Sequence, residues 1–128
     1  MVENLINNIK EAIEADKQKE SLGLMPADKV KKMIEEEGAI FVDVRPPARV
    51  TGKTAPEAGV PNSYFLPVTE FAERWQEIFP ADKTAKIVLA CGKIKFANRV
   101  MGYLEALGYK NVYVLDEEID NFLKEYER

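Results

Sequence analysis

Apolar side chains recur along this chain in two rhythms, and the switches between them mark out its elements. Over residues 2–16, Leu5, Ile9 and Ile13 fall at steps of four with Ile6 and Ala12 beside them, while Glu and Lys lie opposite. That spacing predicts an amphipathic helix docked by its apolar side. The polar stretch ADKQKESLG, closed by Gly23, reads as a connection into the body of the protein. Pro26 stands at a helix start, Val30, Met33 and Ile34 repeat at helical spacing, and Gly38 supplies the stop. Next, Ala39-Ile-Phe-Val-Asp-Val44 is a continuous apolar, β-branched run, the pattern of a strand buried on both faces of a parallel sheet.

The segment RPPARVTGKTAPEAGVPNS carries four prolines and two glycines and is expected to be mostly loop. Tyr64-Phe-Leu66 reads as a short strand stopped by Pro67, and Phe71, Trp75 and Phe79 at steps of four predict a helix that Thr69 would cap. Lys86-Ile-Val-Leu-Ala-Cys91 is the second strong buried-strand signal. From Phe96 to Leu107, Val100, Met101, Leu104 and Leu107 share one helical face, and Gly108 caps the end. Val112-Tyr-Val-Leu115 is a further strand, and Ile119, Phe122 and Leu123 form the apolar face of a closing helix. Strands alternating with helices imply an α/β domain with a parallel sheet between helical layers, and no internal repeat suggests a second domain.

Composition narrows what such a domain can do. The 128 residues suit one domain, and 46% hydrophobic with 31% charged residues is an ordinary globular mixture. With 18 basic and 22 acidic side chains the net charge is -4, so no global positive field draws in nucleic acid or an anionic membrane, and neither is expected as a partner. No apolar stretch has a signal-peptide pattern or is long enough for a bilayer, so a cytoplasmic location is expected. One cysteine and no histidine leave the chain without an internal disulfide, the usual zinc ligand sets, a Ser-His-Asp triad or a Cys-His pair.

What remains for chemistry is Cys91, delivered to the carboxyl end of a strand, where ligands gather in open α/β sheets. Successive backbone N–H groups leading into a helix stabilise a thiolate and bind anions, and Lys93 and Lys95 add positive charge. The plainer alternative is that Cys91 is a small buried hydrophobe and the lysines are solvated surface charges.

Several signatures then converge. The chain resembles a single-domain rhodanese-like protein over about residues 22–128, through FVDVR at Phe41 to Arg45, GVPNSYFLP at Gly59 to Pro67, KIVLAC at Lys86 to Cys91 and LGYKNVYVLD at Leu107 to Asp116. The resemblance implies a three-layer α/β/α fold with a central, mostly parallel sheet over residues 21–128, and the N-terminal amphipathic helix and connection, residues 1–20, lie outside it. It also implies sulfurtransferase chemistry with no metal or organic cofactor. Cys91 would carry sulfane sulfur as a persulfide from thiosulfate or a persulfide donor to a thiophilic acceptor. Gly92, Lys93, Ile94, Lys95, Phe96 and Ala97 would form the cradle. Arg45 matches the family's arginine after Asp-Val and either reaches the crevice or braces the long loop, with Asp43 as a partner for it or for loop amides.

The departures are specific. The family's glycine three residues and arginine five residues after the cysteine are Ile94 and Phe96 here, which makes the mouth more apolar. Arg49 stands for an acidic residue of the first loop, Gly59 for a histidine, and Glu117-Glu118 for a Gly-Gly pair. A phosphatase loop of a related fold, Cys-x5-Arg, is not met, since Ala97 holds that place and Arg99 comes two residues late. The alternative to an enzyme is a catalytically weak or inactive binding or sensor module, using the Ile94 and Phe96 surface and a protein partner at the N-terminal helix.

Overall fold

The computed structural model describes residues 2–127. Its sheet contains β1 (Leu24–Met25), β2 (Ile40–Asp43), β3 (Ser63–Phe65), β4 (Ile87–Ala90) and β5 (Val112–Leu115), all parallel, in the order β1-β5-β4-β2-β3. Two of the three central strands, β2 and β4, are the ones whose sequences read as buried, and the third, β5, is the further strand expected at Val112–Leu115. Alternate residues serve opposite faces, as strand geometry requires. Val42, Ile87, Leu89, Val112 and Val114 enter one core with α4 (Phe71–Ile78) and α5 (Lys95–Ala106). Phe41, Val88, Ala90 and Leu115 enter the other with α2 (Ala27–Glu37), α3 (Ala55–Ala58) and α6 (Ile119–Leu123). The sheet is thus covered on both sides, which is what allows unbroken apolar strands. On the second face Phe41 and Phe122 stack with ring centroids 5.1 Å apart.

Boundaries follow local chemistry. Helix α2 ends where Gly38 takes a left-handed φ of 71° and donates its N–H to Met33, a stop that side chains with a Cβ resist. Helix α3 was unforeseen inside the proline-rich loop, yet its start is a capping box: Glu57 N–H donates to the Thr54 hydroxyl and the Thr54 N–H to the Glu57 carboxylate. The short edge strand β1 was also not foreseen; at two residues it is too brief to show a period. Thr69 does not cap α4, because residues 68–70 form a 3-10 turn and Glu70 takes the cap position.

Helix α1 (Val2–Gln18) departs from expectation in how it docks. It lies on α5, but through small and polar groups: Ala12 is buried, Asn8 donates to the Ala106 carbonyl at 2.9 Å, and Lys19 just beyond reaches the Val112 carbonyl at 2.8 Å. Leu5, Ile6, Ile9 and Ile13, expected to face inward, are all exposed. No helix among the described residues is long and apolar enough to cross a membrane.

Where α1 ends, the buried Glu105 of α5 meets Lys19 (3.6 Å) and the nearby Asp16, and Lys19 also pairs with Asp16 at 3.1 Å. Burial first, and then the Asp16 carboxyl, push the Glu105 pKa up to about 8 against the pull of Lys19. A folded pKa above the unfolded value of 4.5 means that the folded state holds an extra proton between the two, so stability falls as pH rises across that interval. Glu105→Gln keeps the shape and cannot ionise. Its urea stability relative to the parent should therefore improve from pH 5 to pH 9, and a constant difference between the two proteins would contradict the assignment.

Candidate functional site

Because all strands run the same way, the carboxyl ends of β2, β4 and β5 open onto one edge. Asp43 pairs with Ala90 and Leu89 with Val114, so the three following loops leave the sheet at the same level. Cys91 is the first residue beyond β4, the middle strand of the three. Around it lies a crevice of about 360 Å³. The loop after β2 contributes Arg45 and Arg49, that after β4 contributes Gly92, Lys93, Lys95 and Phe96, and that after β5 contributes Glu118 and Asp120.

The structure brings Cys91, Gly92, Lys93, Lys95, Phe96 and Arg45 to this crevice. Ile94 and Ala97 turn away from it and pack against the core shared by α4 and α5, so the apolar part of the mouth is Phe96. Arg49 and Lys95 lie over the Phe96 ring at 5.8 and 5.4 Å from its centroid. Cys91 is fully buried in the resting chain, and its Sγ donates a hydrogen bond to the Lys93 carbonyl at 2.8 Å. A carbonyl offers nothing to a negatively charged sulfur. For the amides of this short loop to meet such a charge, the peptide at Lys93 must turn.

Arg45 is 1% exposed, and its guanidinium is almost wholly spent on structure. It grips Asp43 in two-pronged fashion, Nε to Oδ1 at 3.0 Å and one terminal nitrogen to Oδ2 at 2.8 Å; that nitrogen also donates to the Lys53 carbonyl at 2.9 Å. Its other terminal nitrogen donates to Asp120 at 3.0 Å. Burial alone would depress the Arg45 pKa, but hydrogen bonds and charge from Asp43 and Asp120 offset this and hold it above the ordinary range. Asp43 in turn accepts from the Ala55 N–H at 3.2 Å, anchoring the start of α3. Two of the residues now seen at the crevice, Arg49 and Glu118, stood out in the sequence only as departures from a family pattern. Asp120 carried no signal at all, since its role depends on Arg45 reaching it across the sheet edge.

A family model for the rhodanese-like domain matches residues 26–125. The chain belongs to the rhodanese-like family. A search of curated proteins finds no match. Among solved structures, a rhodanese-related protein from Thermoplasma volcanium is 22% identical with a TM-score of 0.60, covering 83% of this chain and 95% of its own. A single-domain sulfurtransferase from Saccharomyces cerevisiae is 18% identical with a TM-score of 0.59, over 80% of this chain and 89% of its own. The rhodanese-like domain of an Anabaena protein gives 15% and 0.57, over 78% and 72%. At these identities the likeness is one of fold. The five-strand all-parallel sheet flanked by helices is the rhodanese-like architecture that the sequence signatures implied.

Within this rhodanese-like frame the Asp43–Arg45 pair makes a direct prediction. Removing one partner of a buried ion pair strands the other, at a cost of about 3–5 kcal/mol. Arg45→Ala should lower stability to urea by that order, and Asp43→Asn combined with it should recover part of the loss by removing the stranded charge. An Arg45→Ala protein as stable as the parent would show that the pair does not hold the loops.

Proposed function

We propose that the protein is a sulfurtransferase in which Cys91 is the sulfur carrier. The observation that carries this reading is the placement of Cys91 in a rhodanese-like chain, in a crevice whose lining includes Arg49, Lys93 and Lys95. In the first half-reaction the Cys91 thiol releases its proton, and the thiolate attacks the outer sulfur of a donor. With thiosulfate the S–S bond breaks, sulfite leaves with the electron pair, and Cys91 becomes Cys91–S–S⁻. A thiol acceptor then takes the outer sulfur and returns the Cys91 thiolate, so no net oxidation occurs and no metal or organic cofactor takes part. A site that works through one reduced cysteine fits a reducing compartment such as the cytoplasm.

A second reading has its own support. The buried sulfur facing the Lys93 carbonyl is a closed arrangement, which suits a binding or sensor module that never loads sulfur. Intact-mass measurement after exposure to thiosulfate or an organic persulfide separates the two. The sulfurtransferase reading expects one added sulfur on the parent and none on Cys91→Ser, with matching circular dichroism. Loading of the serine variant at an undiminished rate would refute Cys91 as the carrier.

The Phe96 ring marks where a further charged donor is missing. A guanidinium there would hold a sulfonate through charged hydrogen bonds, an interaction of about 1.5 to 3 kcal/mol in the transition state. Phe96→Arg should therefore raise kcat/KM for thiosulfate by more than about tenfold. A change below about twofold in a folded variant would mean that this position has no bearing on donor choice.

A further inference from the structure

The crevice is lined by cations from the loops after β2 and β4 and by carboxylates from the loop after β5. The strand order β5-β4-β2 makes this a matter of topology: the loop of Cys91 lies in the middle, the loop bearing Arg49 on one flank, and the loop bearing Glu118 and Asp120 on the other. Lys93 and Lys95 come from the middle loop itself. These groups do not neutralise one another. Among the described residues no ion pair joins Arg49, Lys93 or Lys95 to Glu118 or Asp120, and only Asp120 is engaged, by Arg45, with its side chain still 53% exposed.

A dianion such as thiosulfate meets the cations but also faces the carboxylates, and leaves Glu118 unmatched. A donor that carries both an ammonium and a carboxylate near its sulfur answers both walls. We propose that the crevice selects a small zwitterionic persulfide, an α-amino acid whose side chain ends in S–SH, over thiosulfate. The ammonium lies toward Glu118 and Asp120, the carboxylate toward Arg49 where it rests on Phe96, and the terminal sulfur toward Cys91. A volume of about 360 Å³ accommodates a molecule of this size. This assignment rests on the sulfurtransferase reading of Cys91 and adds the class of donor.

The step balances without an outside oxidant or reductant. The Cys91 thiolate attacks the terminal sulfur of R–S–SH, a new S–S bond forms to Cys91, and the old one breaks. Its electron pair departs with R–S⁻, leaving Cys91–S–SH and the amino-acid thiolate.

The test compares four donors by the rate at which intact mass shows sulfur on Cys91: cysteine persulfide, its analogue without the amino group, its analogue without the carboxylate, and thiosulfate. Cysteine persulfide should load at least about tenfold faster than each of the other three, the size of one charge-assisted hydrogen bond. Glu118→Gln should slow cysteine persulfide and the carboxylate-free analogue more than it slows the amine-free one, and Arg49→Gln should do the reverse. Equal rates for cysteine persulfide and its amine-free analogue would overturn the proposal. S-methylcysteine, which cannot transfer sulfur, separates this failure from that of the chemistry: it should shift the amide resonances of residues 92–96 and 117–120. Binding of S-methylcysteine without loading by any donor would sink the sulfurtransferase reading, and absence of that binding would sink the zwitterion assignment.

Discussion

Asp43 ends a strand and is itself fully buried, and a carboxylate in that position must be matched where it stands. Arg45 does so from two residues along, and the geometry of the match propagates outward. The same guanidinium holds the Lys53 carbonyl and Asp120, and the same carboxylate holds the Ala55 N–H. Two loops that would otherwise be free, those after β2 and β5, are therefore tied to one charge pair beside Cys91. Hydrophobic residues of similar size would satisfy the core equally well, since a buried pair adds little net stability over a packed apolar substitute. What such residues would not do is fix where Arg49, Glu118 and Asp120 stand relative to the sulfur.

The resting sulfur is held in a state that a carrier must leave. Its hydrogen bond to Lys93 satisfies a thiol, whereas a persulfide needs donors around an outer sulfur that bears charge. The loop between β4 and α5 is short, with Ile94 packed into the core at its end, so any rearrangement centres on the peptides from Gly92 to Lys93. Ile94, read from sequence as part of the mouth, packs instead against the core shared by α4 and α5.

The central strands were legible because burial on both faces leaves an unbroken apolar run, a pattern that needs no knowledge of neighbours. Helix α1 was legible as a helix but not in its orientation. Periodicity locates an apolar stripe, yet the docked side uses Asn8, Ala12 and Lys19 through hydrogen bonds to backbone carbonyls. The Thr54-Ala-Pro-Glu57 capping box was present in plain sequence and was masked by the prolines around it. Cys91 and its own loop could be found from one segment. Arg49, Glu118 and Asp120 could not, because their shared crevice exists only once β5, β4 and β2 are set side by side.

The structure of the protein after exposure to a persulfide donor bears most directly on Cys91 as a carrier. The account predicts an additional sulfur bonded to Sγ of Cys91, the Lys93 carbonyl turned away, and backbone N–H groups of the 92–96 loop directed at the outer sulfur. The Asp43–Arg45 contacts should be unchanged. An unmodified Cys91 still donating to the Lys93 carbonyl after such exposure would contradict it.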